Sequence, residues 1–177
     1  MAAQETADLS QKLLTLDRAK ALSPAGQRSS IDLNAELELW HPLLAQSAGP
    51  GIEVEILNKS RALRVKADAT MLREALVNLV GNARRHGGAE LTKIAITAEP
   101  LGVGGARIRI VDNGQGIPEA DIPIVLQRFS QLAPTSGSGL GLSIVAAVAE
   151  AHGGEMRLGS AKSGGLEVTL TWDAGSL

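Results

Sequence analysis

An α/β fold is predicted by three observations. Leu72, Ala75, Leu76, Leu79, Val80 and Ala83 keep a three-four helical rhythm, and Ile52-Glu53-Val54-Glu55-Ile56 alternates as a half-buried strand does. Two glycine-rich turns, Asp112-Asn113-Gly114-Gln115-Gly116 and Gly137-Ser138-Gly139-Leu140-Gly141, follow or precede such stretches. The 177 residues fit one domain with a short appendage and are enough to bury a sizeable core.

In chain order, Leu9, Leu13, Leu16 and Ala19 mark an amphipathic helix ending near Leu22, before Pro24 and Gly26. Ser23 to Ser30 reads as a polar connector. Asp32 or Asn34 can cap a helix whose apolar face takes Leu33, Leu37, Trp40 and Leu44, and Gly49-Pro50-Gly51 ends it. The strand at Ile52 to Ile56 and a shorter one at Leu63 to Val65 read as a hairpin joined through Asn58 to Arg61. Asp68 or Thr70 caps the next helix, which Gly87-Gly88 stops. Ile94 to Ala98 and Ala106 to Val111 read as antiparallel strands, the second delivering Asp112 at its end. A short helix at Glu119 to Phe129 precedes the polar stretch Ser130 to Ser136, read as a mobile lid. A helix from about Gly139 to Ala151, ended by Gly153-Gly154, leads into strands Glu155 to Gly159 and Leu166 to Trp172.

Composition excludes several kinds of chemistry. The net charge of −2 gives no electrostatic footprint for nucleic acid or an anionic membrane, and 2% aromatic residues offer little to stack bases on. Without cysteine there is no disulfide framework or thiolate site, and His41, His86 and His152 lack metal-ligand spacing. His41 reads as structural; His152, beside a glycine stop, suits a cap or a positive charge at a helix C-terminus. No apolar run approaches the roughly 20 residues that span a bilayer, so the chain is expected to be soluble.

The glycine turns carry the functional signal. Glycine lets backbone N–H groups approach a ligand with no Cβ in the way, and the first turn of a helix leaves such donors unpaired beside the positive end of its dipole. Phosphate, as part of ATP, is the expected guest. Glu74, Asn78 and Asn82 recur every fourth residue and so share one helical stripe, with Arg85 and His86 farther along. Their oxygens are hard ligands suited to Mg²⁺, Asn82 first among them. Alone, such a stripe is more commonly the solvated side of an amphipathic helix, and Asp-x-Gly-x-Gly alone is as often a turn as a site.

Together, Glu74 to Ala83 with Arg85, Asp112 to Gly116, Arg128-Phe129 and Gly137 to Leu142 resemble, in order and spacing, the N, G1, F and G2 boxes of bacterial sensor histidine kinases. Ile144 to Gly154, ending Ala151-His152-Gly153-Gly154, is similar to the same branch, and the resemblance covers about residues 31 to 173. It implies the two-layer α/β sandwich of the Bergerat type shared with gyrase, Hsp90 and MutL: a mixed sheet of about five strands on three helices, with an N-terminal helical tail. It also implies that Asp112 reads the adenine amine, that Gly114 and Gly116 allow close approach, and that Asn78 and Asn82 serve Mg²⁺ and phosphate. Arg85 would neutralise phosphate charge and Glu74 would activate the accepting imidazole. Phe129 would latch the lid, while Gly137, Ser138, Gly139, Leu140 and Gly141 would wrap the triphosphate. His86 stands where relatives often carry tyrosine and serves either as a nucleotide contact or as a simple helix end.

The implied partners are a phosphoacceptor histidine domain and a response regulator receiver domain. No histidine here has the acceptor's setting; Leu9 to Arg18 resembles the end of the second dimerisation helix, so residues 1–23 are expected to be its remnant. That helix would pair two copies in a longer protein anchored in the inner membrane, with the fragment itself cytoplasmic. Residues 24–30 would be a linker and 31–177 the catalytic domain. Two other readings stay open: an ATP-hydrolysing conformational switch, and a nucleotide-binding docking module without catalysis.

Overall fold

The structure, a computed structural model, describes residues 28–58, 62–103, 105–125 and 141–173, together with Ser10, Leu14 and Asp17, three helical positions in the N-terminal tail. The remainder of the expected tail helix, the expected turn after Asn58, the stretch 130–136 and residues 126–129 lie outside the described residues.

The chain opens with β1 (Ser29–Asp32) and α1 (Leu33–Ala48). Asp32 caps α1: its Oδ1 accepts from the N–H groups of Asn34 at 3.2 Å and Ala35 at 3.4 Å, and from Leu63 at 3.2 Å. These donors, Leu63 above all, hold its carboxyl below the usual range. Leu33, Leu37, Trp40 and Leu44 are buried along one face, as the spacing predicts. His41 Nε2 donates to the Val54 carbonyl at 2.8 Å, tying α1 to β2 (Glu53–Asn58), which is the structural role expected of it.

The expected hairpin does not form. β2 pairs in parallel with β4 (Lys93–Leu101), whereas β3 (Arg64–Ala67) pairs antiparallel with β1, inside the stretch read as connector and helix cap. Neighbours in sequence favour a local hairpin, but β2 has a longer partner in β4, reached by a helical crossover. β1 was invisible because Ser29-Ser30-Ile31-Asp32 has a single apolar residue and hence no alternation.

That crossover is α2 (Ala69–His86), capped by Asp68, whose Oδ1 accepts from Met71 N–H at 3.0 Å. Its last turn carries His86 together with Arg84 and Arg85, whose charges complement the negative end of the helix dipole. β5 (Gly105–Asp112) follows antiparallel to β4; then come a 3₁₀ turn (Glu119–Asp121), the short α3 (Ile122–Val125), α4 (Gly141–Ala151), β6 (Glu155–Ser160) and β7 (Leu166–Trp172).

The five-stranded mixed sheet has the order β2-β4-β5-β7-β6, all neighbours antiparallel except β2 and β4. Ile94, Ile96, Ile108, Ile110, Val168 and Leu170 alternate onto the buried face, where α1, α2 and α4 cover them. The opposite face carries cross-strand ion pairs, Arg109 gripping both Glu167 oxygens at 2.7 and 3.1 Å and Arg107 meeting Glu99 at 3.2 Å. The result is the two-layer sandwich predicted, with the small β1-β3 sheet added. Leu76 is fully buried between layers, so Leu76→Ala should lower stability by about 2–5 kcal/mol, read as an earlier urea midpoint. Among the described residues no helix is long and apolar enough to cross a membrane.

Candidate nucleotide site

The stretch of α2 from Glu74 to its end gathers the sequence-predicted groups. Glu74, Asn78 and Asn82 follow at helical spacing of four. Asn78 is buried, and its Nδ2 donates to the Glu74 carbonyl at 2.9 Å, leaving its Oδ1 without a hydrogen bond among the described residues. Arg85 Nη2 donates to Asn82 Oδ1 at 2.7 Å. Glu74 is part-exposed, with Arg73 Nη2 3.7 Å from its Oε1. His86 is exposed at the helix end, and its imidazole is held below its usual value first by partial desolvation and then by the charge of Arg85.

Gly141 opens α4 against this stripe. A Cβ there would sit 2.8 Å from both amide atoms of Asn82, so the helix start and the amide occupy adjoining space. Phe129, Gly137, Ser138, Gly139 and Leu140 lie outside the described residues.

Asp112 ends β5 with only 6% of its surface exposed. Its Oδ1 accepts from Gly114 N–H at 2.9 Å and Leu166 N–H at 3.2 Å, while its Oδ2 has no hydrogen bond among the described residues. The following loop is pinned to the end of α2: Gln115 N–H donates to the Gly87 carbonyl at 2.8 Å and Gln115 Nε2 to the His86 carbonyl at 2.7 Å. Gly87 lies five residues past Asn82, about 7.5 Å along the helix axis, so the Asp112 loop, Asn82 and Gly141 share one neighbourhood.

Other residues shape the loop around Asp112. Gly114 abuts the Gly87 backbone, where a Cβ would lie 2.5 Å from the Gly87 carbonyl oxygen; its small size serves helix–loop packing here. Gly116 turns with φ +68° against the Gly164-Gly165 turn. Gly165 packs so tightly on Asp112 that any Cβ would overlap both its carbonyl and its carboxylate. Asn113 secures the loop's other side, its Oδ1 accepting from Thr92 and Lys93 N–H groups at 3.0 and 2.9 Å. Gly165 carried no signal in the sequence: its contact with Asp112 spans over fifty residues of chain.

His152 requires a correction: it is no charged helix end. Its ring is fully buried, tilted against Trp172 with centroids 5.8 Å apart, and desolvation pushes its pKa below the ordinary 6.5. The C-terminal cation is instead Arg28, which donates to the Ala151 and His152 carbonyls at 2.8 and 3.2 Å. A separate groove of about 350 Å³ lies between α1 and the start of α2, lined by Leu39, Trp40, Leu43 and Arg73 among others, and shares no residue with the cleft.

Comparison with known proteins agrees with this geometry. Residues 67–176 match the family described as Histidine kinase-, DNA gyrase B-, and HSP90-like ATPase. The sensor-type histidine kinase PrrB of Mycobacterium tuberculosis is 38% identical over 123 residues, 68% of this chain but only 27% of that relative's length. The crystal structure of the ATP binding domain of PrrB from the same organism superposes with TM-score 0.67 at 29% identity, covering 82% of this chain and 96% of that one. Full-length ShkA in complex with AMPPNP gives TM-score 0.78 at 27% identity, covering 93% of this chain and 35% of that one. With the family matched over residues 67–176, and with the sandwich and the stripe of Glu74, Asn78 and Asn82 in place, the chain belongs to the histidine kinase-, DNA gyrase B- and HSP90-like ATPases, on the branch of the sensor histidine kinases.

Proposed function

We propose that the chain binds Mg-ATP between the C-terminal half of α2 and the start of α4, and passes the γ-phosphate to a histidine on a separate phosphoacceptor domain. A response regulator receiver domain would take the phosphate onward. The observation that carries this reading is the convergence of Asp112, the α2 amides and Gly141 on one helix end.

The residues suit the ligand. Asp112 holds Oδ1 in backbone hydrogen bonds and offers Oδ2 to the adenine amine, a charge-assisted contact that reads the base edge. Asn78 and Asn82 provide carbonyl oxygens on one face, hard donors of the kind that hold Mg²⁺ alongside water and phosphate. When bound, Mg²⁺ supplies positive charge to the phosphate oxygens as the bridging P–O bond breaks. Arg85, now engaged with Asn82, swings onto the same oxygens. Glu74 takes the proton from the acceptor imidazole as its nitrogen bonds to phosphorus, and ADP leaves carrying the electron pair of the broken bond. Positioning does most of the rest, since transfer needs acceptor and leaving oxygen in line.

A titration of the purified chain with a fluorescent ATP analogue and Mg²⁺ tests the binding step. Saturable binding is expected, weakened about tenfold or more by Asn82→Ala, equivalent to ~1.4 kcal/mol. Radiolabelled ATP and an added phosphoacceptor fragment test the transfer: the label on the fragment should be acid-labile and base-stable, slowed by Glu74→Gln with binding kept. Absence of analogue binding would defeat the whole reading, whereas steady phosphate release without any acceptor would replace the kinase by an ATP-hydrolysing switch.

A further inference from the structure

We infer that His152 is a positioning residue for this nucleotide site: its neutral ring, protonated at Nδ1, sets the lengthwise register of α4 against α2 and so fixes where Gly141 meets Asn82. The inference rests on the nucleotide reading above and adds to it a residue outside the four motif boxes.

The geometry starts from two bonds. His152 Nδ1 lies 2.7 Å from the Val148 carbonyl, which can only accept, so Nδ1 carries hydrogen. His152 Nε2 lies 3.0 Å from the Asp68 backbone N–H, which can only donate, so Nε2 is bare. A single neutral tautomer satisfies both, and a second ring proton would face an N–H head-on.

The placement gives this tie its reach. Asp68 caps the N-terminus of α2 and His152 follows the C-terminus of α4, while at the other end of the pair Gly141 abuts Asn82. The two helices therefore run antiparallel and touch at both ends. α4 has 11 residues, a rod of about 16 Å, so an axial slip released at His152 arrives undiminished at Gly141. Close-packed interiors transmit such shifts instead of absorbing them.

The charged groups facing the ring are Arg28, which clamps the neighbouring carbonyls, and Asp68; Trp172 of β7 supplies an uncharged wall. Desolvation first, then Arg28, lowers the imidazole pKa, against opposing contributions from the Val148 bond and Asp68. The unfolded chain thus binds the proton more readily than the folded one. The tie stabilises fully above the ordinary value of 6.5 and is lost as pH falls below it, through the depressed folded value.

The test compares the full chain with His152→Gln, whose side-chain oxygen can still accept from Asp68 N–H but never titrates. As pH is lowered from 7.5 until the His152 ring takes up its second proton, the wild-type affinity for a non-hydrolysable ATP analogue with Mg²⁺ should fall about fivefold more than that of the variant. His86 and the analogue's own phosphate titrate equally in both, so they cancel. Nitrogen-15 NMR of the unaltered protein supplies a readout independent of the variant's folding: a bare Nε2 and a protonated Nδ1 at pH 7, persisting well below pH 6.5. Parallel affinity profiles, an Nε2-protonated ring, or a ring titrating like a free imidazole would each overturn the inference. A wild-type chain that binds no nucleotide at any pH would instead overturn the function proposed above, with the NMR result still deciding whether the tie exists.

Discussion

Asp112→Asn should weaken binding of an ATP analogue by roughly 10- to 100-fold while leaving the thermal midpoint almost unchanged, the loss of one charge-assisted hydrogen bond worth about 1.5–3 kcal/mol. The substitution separates two jobs of one carboxylate. Asparagine's Oδ1 can still accept from Gly114 and Leu166, so the loop keeps its shape. In place of Oδ2 it presents an amide NH₂, which meets the adenine amine donor to donor. Asp112→Ala would be a poorer probe, because it leaves two N–H groups unpaired at ~1–3 kcal/mol each and confuses folding with recognition. Isothermal titration beside a melting curve checks the result; equal affinities of Asp112→Asn and wild type would remove Asp112 from base recognition.

Gly165→Ala is the second large effect expected, and it acts from the far side of the sheet's end. A methyl there overlaps the Asp112 carbonyl and carboxylate, so either the β6–β7 turn or the carboxylate must move. The cost should be about 1–3 kcal/mol of stability, as for other overpacked sites, with a loss of nucleotide affinity on top. Two neighbours make the controls. Gly159 has nothing within 4 Å of where its Cβ would stand, so Gly159→Ala should be close to silent. Gly164 also has open space but sits at φ +98°, so Gly164→Ala should carry backbone strain of about 1–2 kcal/mol without disturbing Asp112 directly. A Gly165→Ala protein with wild-type affinity would show that this packing does not aim the carboxylate.

What could be read from the sequence, and what could not, follows the range of each interaction. α2 was legible in full because its cap, its three-four rhythm and its glycine stop are all local. The strands that become β4, β5, β6 and β7 were legible from alternation, and Asp112 was correctly placed at a strand end. Pairing was harder. Alternation says that Ile52 to Ile56 is extended but not with which strand it bonds, and the nearer candidate lost to β4. The candidate site divided along the same line: Asn78, Asn82, Asp112 and Gly141 could be proposed from motifs, whereas Gly165 and Gln115 act through contacts that no spacing records. For His152 the helix stop beside it was visible, but burial under Trp172 and the pairing with Asp68 arise only when the helices dock.

The same-direction pairing of β2 and β4 makes α2 something more than a shelf for the proposed ligand groups. Two strands aligned in this way cannot be joined by a tight turn, so the helix between them is the path that closes that edge of the sheet. Whatever grips Asn78, Asn82 and Arg85 therefore also grips the connector that holds the outermost strand in place, and occupancy of the cleft and integrity of the sheet's margin draw on one shared segment.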